Sequence, residues 1–562
     1  MKNQKILFTI AFPLYGTGSG TDTRTVMDSA KKSGYQVAAL CADNKTTYPK
    51  DEDIHYYTVP FKATTPDAET IPGQCDFPYI MYTSHPDGKT LNYFTSETSL
   101  DIIVEYSEQF QKYLSKAINE FKPDLINAQH NWLLSAQVAR YNLPMVLKIH
   151  GTDLMGYTKS QELVKNLEDE ISKYTSEKIK SVSEEILSKS SNIKEICFKL
   201  NELKQNVIGQ TENEKLIDLY KELAKYKFYI SESEYSAKKA DQIVVISEAQ
   251  KEQFKKLFPN ESNKVTLLEN GYNTDVFYMD KTTKPEDVIP KLHSNITPDG
   301  KIPMDYDDLI LFVGKFADFK GIDSMLIANK IYDEKLKGEG KKPLTIIVGS
   351  GQLEEKLQQE AKYLGLENTH FVGRQGHDII RPLQNLATVS LIPSRDEPFG
   401  LVVIEGTSCG HPVIASNSGG IPDILNTEKG NLPDEDIITT KLGVLIKPLP
   451  RGPKGLTKEQ TENLNSIAYT YIAANPDQKK AVLADLTKRL GIYQEDLLKY
   501  FNEYTSSTEA LATSVQKIVN KEFEFDGNEI AEYTKSKFAQ DVINKKTVKI
   551  YDAAIENKKK IR

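Results

Sequence analysis

The chain has 562 residues, too many for one ordinary core; at about 150 residues per domain the length allows roughly three or four units. A net charge of −8 excludes an overall basic field that would draw nucleic acid or an anionic membrane, although local lysine-rich patches could still do either. Cys41, Cys75, Cys197 and Cys409 lack paired metal-ligand spacing, and Cys41 and Cys409 fall in apolar surroundings that suggest buried thiols, a pattern that fits a reducing cytoplasm.

The opening "MKNQKILFTIAF" has too short an apolar run for a secretory signal, and no run of about 20 apolar residues follows anywhere, so a cytoplasmic protein is expected. Along the first half, "KILFTIAF", "YQVAALCAD", "HYYTVP", "DLINAQ", "PMVLKIHG", "QIVVISE" and "KVTLLENG" read as short strands alternating with helical patterns. That alternation predicts parallel strands joined by helical crossovers. Residues 159–239, rich in Lys, Glu and Ser with Leu163, Leu167 and Ile171 at helical spacing, predict an amphipathic helical hairpin on this lobe. Its plain role is an extra packing layer, and its alternative is a surface for a partner or for peripheral membrane contact. "TTKPEDVIPKLHSNITPDGKIPMDYDD" shows no apolar period and reads as a linker. A second series follows, "LILFVG", "LTIIVGSG", "HFVGR", "TVSLIPS", "PVIAS" and "GVLIKP", which implies a second Rossmann-like lobe. Residues 456–520 are again helical in pattern.

Several residues could carry chemistry. Gly16, Gly18 and Gly20 follow the first strand, where a glycine loop and a helix starting near Thr21 would receive an anion; a plain strand-to-helix turn explains them equally well. Lys315 and Lys320 follow a strand of the second lobe, where two cations would neutralise a diphosphate; surface lysines are the alternative. In "EPFGLVVIEGTSC", Glu397 sits at a turn and Glu405 near the second turn of a helix. Carboxylates suit sugar and ribose diols because their two oxygens can each accept a hydroxyl proton, and a charge that interrupts an apolar helix is costly without such a partner. His130 and Trp132 in "AQHNWLL" are acceptor candidates, to be weighed against a structural histidine and a core tryptophan. Asp22 and Asp153 are the nearest metal-ligand candidates, with capping or hydrogen bonding the simpler role for each, and no metal site is expected.

"EPFGLVVIE" resembles the E-x7-E motif of retaining glycosyltransferases of family four, which have the GT-B fold. The resemblance extends through "HGTD", "ADQIVVISE", "ENGYNTDVF", "FVGKFADFKG", "IIVGSGQLEEKL", "HFVGR" and "SGGIPDIL". It implies an α/β GT-B protein, two Rossmann-like lobes with parallel sheets facing across a cleft, plus helical insertions. Residues 1–278 would be the acceptor lobe with its insertion 159–239, 279–304 the linker, 305–525 the nucleotide-sugar lobe with its insertion 456–520, and 526–562 a C-terminal helix crossing back.

The resemblance further implies that His150, Glu397 and Lys320 serve catalysis. Glu397 would bind donor hydroxyls, Glu405 the nucleotide ribose, and Lys315 and Lys320 the diphosphate. Backbone amides near Phe399, Gly400 and Leu401 would meet sugar or phosphate, Gly373 and Arg374 would lie near the base, and the Gly16, Gly18 and Gly20 loop would approach the diphosphate. His130, Trp132 and Asp153 would stand on the acceptor side. The sequence departs from the family at Lys315, where arginine is usual; lysine keeps the charge and loses the bidentate fork. The expected reaction is a retaining, metal-independent transfer without a cofactor, from a nucleotide-sugar donor, with UDP-glucose or UDP-GlcNAc favoured, to a small molecule, glycan, lipid, protein or nucleic acid. A nucleotide-sugar epimerase and a degenerate scaffold binding partners through 159–239 are the rival readings.

Overall fold

The computed structural model describes residues 4–14, 18–43, 54–62, 74–81, 90–428, 430, 432–450, 452, 453, 456 and 458–561. The chain forms two compact units, Met1–Glu269 with Gln540–Arg562, and Asn270–Ala539.

In the first unit the strands are β1 (Lys5–Ile10), β2 (Gln36–Asp43), β3 (Ile54–Pro60), β4 (Ile80–Met81), β5 (Leu91–Asn92), β6 (Leu125–Gln129), β7 (Met145–Lys148), β8 (Gln242–Val245) and β9 (Val265–Leu267). Among the described residues, one sheet runs β3-β2-β1-β6-β7-β8-β9, parallel throughout, and β4 with β5 forms a small separate ribbon. Both faces of the central strands are covered: β6 is buried along its whole length, as are five of the six residues of β1. The order reverses between β1 and β6, and outside such a reversal the strand ends of an open sheet leave room for a ligand.

The insertion is larger than the expected hairpin. Among the described residues four helices, Gly151–Ser172, Glu177–Lys189, Ile193–Gln205 and Thr211–Lys239, enclose their own small core around Ile171, Leu200, Leu216 and Tyr220. The closing helix, Gln540–Ile561, packs in this unit and buries Ile543, Tyr551, Ala554 and Ile555.

The second unit contains β10 (Asp308–Val313), β11 (Pro343–Val348), β12 (Thr369–Phe371), β13 (Val389–Ile392), β14 (Val413–Ser416), β15 (Ile437–Thr440) and β16 (Gly443–Ile446). Its sheet runs β12-β11-β10-β13-β14-β16-β15 among the described residues, parallel except for the edge strand β15, which the sequence pattern did not reveal. Here the reversal lies between β10 and β13. Three helices, Lys458–Ala473, Pro476–Leu490 and Gln494–Val519, form the later addition.

Two expected boundaries shift. Residues 279–304 are not a free linker: Val288, Ile289, Leu292 and Ile302 are buried with Leu309, Leu311 and Leu344, so the unit begins at Asn270. A Pro- and Asp-rich composition concealed four apolar anchors, of which Val288, Ile289 and Leu292 sit at helical spacing on and just after the short turns Pro285–Val288 and Ile289–Lys291. Residues 526–562 are two helices, Gly527–Phe538 in the second unit and Gln540–Ile561 in the first. All four cysteines are buried thiols, and among the described residues no helix is long and apolar enough to cross a membrane.

Candidate functional site

The two strands that flank the reversal in the second unit carry the clearest constellation. After β10 the chain passes Lys315, makes a tight turn at Asp318–Lys320, and enters the helix Ile322–Gly338 through Gly321. Gly321 has φ +67, and a Cβ there would lie 2.1 Å from the Pro393 carbonyl oxygen, so only glycine lets this turn lie on the end of β13. After β13 the chain reaches Glu397 and enters the helix Leu401–Ser408 through Gly400, also left-handed. Gly419, with φ +56, would place a Cβ 2.0 Å from the Glu397 carbonyl oxygen, to which Gly420 N–H donates at 2.8 Å. The glycine pair therefore cradles the backbone of Glu397.

Lys320 Nζ donates to Glu397 Oε2 at 2.5 Å, and Ser394 Oγ donates to the same oxygen at 3.3 Å. Glu397 Oε1 takes no hydrogen bond among the described residues. The two residues expected to hold separate parts of a donor are thus bound to each other, which compensates two largely buried charges. Glu405 is different. Half-buried on the helix Leu401–Ser408, its carboxylate has no hydrogen-bond or ion-pair partner among the described residues, and burial pushes it up to about 7.

Other expected donor residues sit around this pair within the unit. Lys315 is half-buried and already engaged. Phe399 buries its ring beside Phe538, leaving its backbone as the part available to a ligand. Leu401 opens the helix after Gly400. Gly373 follows β12 with φ +66, and the exposed Arg374 next to it makes no hydrogen bond or ion pair among the described residues.

Sequence reasoning missed Arg395. Its guanidinium is 6% exposed and grips the Asp323 carboxylate with both Nη atoms, at 3.0 and 2.7 Å, while Nη1 also donates to the Asp318 carbonyl at 2.6 Å. An arginine beside an apolar strand was the available signal, since a cation there demands a partner.

In the first unit, β6 is followed by His130, which has φ +71, a left-handed conformation costing a non-glycine residue about 1 kcal/mol. His130 Nδ1 and Asp153 Oδ1 are 2.6 Å apart, while Asp153 Oδ2 accepts from His150 N–H at 2.7 Å. The His130 and His150 rings lie 4.4 Å apart. His150 Nε2 meets Gln129 Oε1 at 2.8 Å; Gln129 donates to Asn127, and Asn127 donates to Tyr551 OH at 2.6 Å. Burial holds His150 well below the ordinary imidazole range, with His130 and Lys148 adding to the effect, so the ring is neutral. Gln129 and Asn127 escaped the sequence reading, although amides inside an apolar strand must find partners.

Two expectations need correction. Trp132 is 1% exposed, stacked on Phe12 and packed among Tyr93 and Tyr106, so it is a core residue and offers no stacking face. Gly18 and Gly20 lie inside the helix Gly18–Lys32 and form no loop, because the helix starts earlier than Thr21; Gly16 lies outside the described residues. Asp22 takes the hydrogen-bonding role expected of it: it accepts from Lys148 Nζ at 2.6 Å, and both side chains are nearly fully buried. Among the described residues no group of three or more His, Cys, Asp or Glu could hold a metal ion.

Residues 299–438 match the family model described as Glycosyl transferases group 1, a stretch that contains Lys320, Glu397 and Glu405. An uncharacterized glycosyltransferase of Methanocaldococcus jannaschii is 27% identical over 191 residues, covering 34% of this chain and 44% of the relative. The D-inositol 3-phosphate glycosyltransferase of Mycolicibacterium smegmatis is 24% identical over 263 residues, covering 45% of this chain and 54% of the relative. The chain spans about half the length of the curated relatives it matches. A solved sucrose-phosphate synthase from Thermosynechococcus elongatus aligns with 95% of this chain and 98% of its own at TM-score 0.49 and 16% identity. Each unit contains a largely parallel, Rossmann-like sheet. The second carries a Glycosyl transferases group 1 domain, and the chain has glycosyltransferase relatives.

Proposed function

We propose that the protein is a retaining, metal-independent glycosyltransferase whose second unit binds a nucleotide-sugar, with a UDP-sugar such as UDP-glucose or UDP-GlcNAc as the first candidate. The observation that carries this reading is the placement of the Lys320–Glu397 pair at the sheet reversal, with the unpartnered Glu405 on the following helix. Glu405 accepts the ribose hydroxyls, whose donors offset the cost of its buried charge. Lys320 leaves Glu397 for the donor diphosphate and stabilises the charge that grows on it as it departs. Glu397, released, accepts hydroxyls of the sugar.

In the transfer itself the acceptor oxygen bonds to the anomeric carbon as the carbon–phosphate oxygen bond breaks. The acceptor proton passes to the departing phosphate oxygen on the same face, so no protein base is consumed. His150, held neutral by burial, contributes a hydrogen bond to the reacting sugar. His130 and Asp153 belong to the acceptor side, while the acceptor itself remains a choice among small molecule, glycan, lipid, protein and nucleic acid.

The test is calorimetric titration of UDP, GDP and ADP into the wild-type protein and Glu405→Ala, repeated with the matching nucleotide-sugars. Micromolar binding of one nucleotide, weakened at least tenfold in the variant, is expected. A folded wild-type protein that binds none of them refutes the reading and returns the degenerate-scaffold alternative.

A further inference from the structure

We propose that Arg395 is a positioning residue of the donor site, acting through Lys320. The inference rests on the donor reading above and concerns a residue that touches no ligand in it. Arg395 ties the turn Asp318–Lys320 to the end of β13 by three independent sets of contacts. Its backbone N–H donates to the Phe319 carbonyl at 2.8 Å. Its Nη1 donates to the Asp318 carbonyl at 2.6 Å. Its two Nη atoms clamp Asp323 at the start of the helix Ile322–Gly338. The carbonyls it holds therefore belong to the two residues immediately before Lys320, and Glu397 stands two positions after it. Arg395 thereby ties the turn that carries Lys320 to the strand end that carries Glu397.

The fork matters more than the charge. Asp323 and the Asp318 carbonyl are reached together because a planar guanidinium presents several fixed donors, which an ammonium cannot do. Arg395 Nη2 also contacts Ser324 Oγ at 3.3 Å, and Ser324 in turn donates to Tyr504 OH at 2.9 Å. Tyr504 lies on the helix Gln494–Val519, so the helical addition braces the same frame from behind. Glu360, pushed up to about 8 by burial and by Asp323, is largely protonated at neutral pH, which leaves Asp318 and Asp323 as the carboxylates facing the guanidinium.

The experiment titrates the best-bound of UDP, GDP and ADP, and its monophosphate, into folded wild type, Arg395→Lys, Lys320→Met and the double variant. Asp323→Asn, which keeps the guanidinium and loosens its anchor, is measured alongside in case Arg395→Lys does not fold. The expected result is a diphosphate affinity at least tenfold weaker in Arg395→Lys and in Asp323→Asn, with the monophosphate within about twofold of wild type. In the double variant the loss should not exceed that of Lys320→Met alone, because both changes act through one contact. Parallel loss of monophosphate and diphosphate, additive losses, or unchanged diphosphate binding in the folded variants would each overturn the role of Arg395. Absence of nucleotide binding in the wild type would instead overturn the donor reading on which it rests.

Discussion

The unpartnered Glu405 makes a prediction in which stability and binding move in opposite directions. Its carboxyl is displaced from 4.5 to about 7 by burial alone. The unfolded chain releases this proton near the ordinary value while the folded protein keeps it, so the folded state gains relative stability at low pH and loses it as pH rises toward 7. At about 1.4 kcal/mol per tenfold change in proton affinity, the whole effect is about 3 kcal/mol, with about 2.5 kcal/mol falling between pH 5 and pH 8. The side chain keeps an exposed edge, and solvent there screens part of this, leaving about 1.5 to 2.5 kcal/mol. Glu405→Gln retains the shape and removes the titration. Urea unfolding of both proteins at the two pH values should show the variant gaining this amount relative to wild type at pH 8. On the proposed reading, the same variant should bind nucleotide at least tenfold more weakly at pH 8, where the wild-type carboxylate is ionised and would accept two ribose hydroxyls. A variant whose stability relative to wild type is the same at both pH values would refute the electrostatic argument, and unchanged nucleotide affinity would remove Glu405 from the site.

Two further outcomes follow from the second unit. Gly419→Ala places a methyl 2.0 Å from the Glu397 carbonyl oxygen in a left-handed conformation; it should cost about 2 to 4 kcal/mol in urea unfolding and weaken nucleotide binding by displacing Glu397. A cost below about 0.5 kcal/mol would contradict the cradle. His411, buried with Nε2 at 2.8 Å from Ser390 Oγ, is held down to about 4. The unfolded histidine takes its proton near 6.5, so this stability is full above that pH and is lost as pH falls toward 4. The penalty for His411→Gln should therefore shrink by about 2 kcal/mol between pH 7 and pH 5, and a pH-independent penalty would show that the ring is not held neutral.

What could be read from the sequence was whatever follows from local periodicity. The strands of both large sheets stood out because parallel strands covered on both faces are mostly apolar runs, as in Leu309–Val313 of β10. β15 escaped because its half-exposed "IITT" lies at an antiparallel edge, where neither burial nor alternation marks it. The four-helix insertion was compressed to a hairpin because polar helices with short connections show helical spacing without showing where each one ends. In the site, Glu397, Glu405 and Lys320 were visible as charges at strand ends or inside an apolar helix. Arg395, Gln129 and Asn127 were not, because their roles depend on partners distant in sequence: Asp323 is 72 residues from Arg395, and Tyr551 is 424 from Asn127.

Glu397 and Glu405 stand on either side of the entrance to the helix Leu401–Ser408, and the protein treats them oppositely. Glu397 has its charge balanced by Lys320 and its backbone fixed by the glycine pair, at the cost of tying up the cation. Glu405 receives no compensation among the described residues, and its proton affinity rises accordingly. On the proposed reading, this asymmetry orders the binding event. Ribose hydroxyls meet a carboxylate with nothing to give up, so nucleoside recognition gains their full hydrogen-bond energy. The diphosphate must first win Lys320 from Glu397, and that exchange frees Glu397 for the sugar hydroxyls. A nucleotide without a sugar would then leave Glu397 largely buried and unpaired, whereas a nucleotide-sugar would satisfy it. The sugar should therefore raise affinity in the wild type and add little in Glu397→Gln, a comparison available from the same calorimetric series. A sugar contribution that survives this substitution would place the hexose elsewhere.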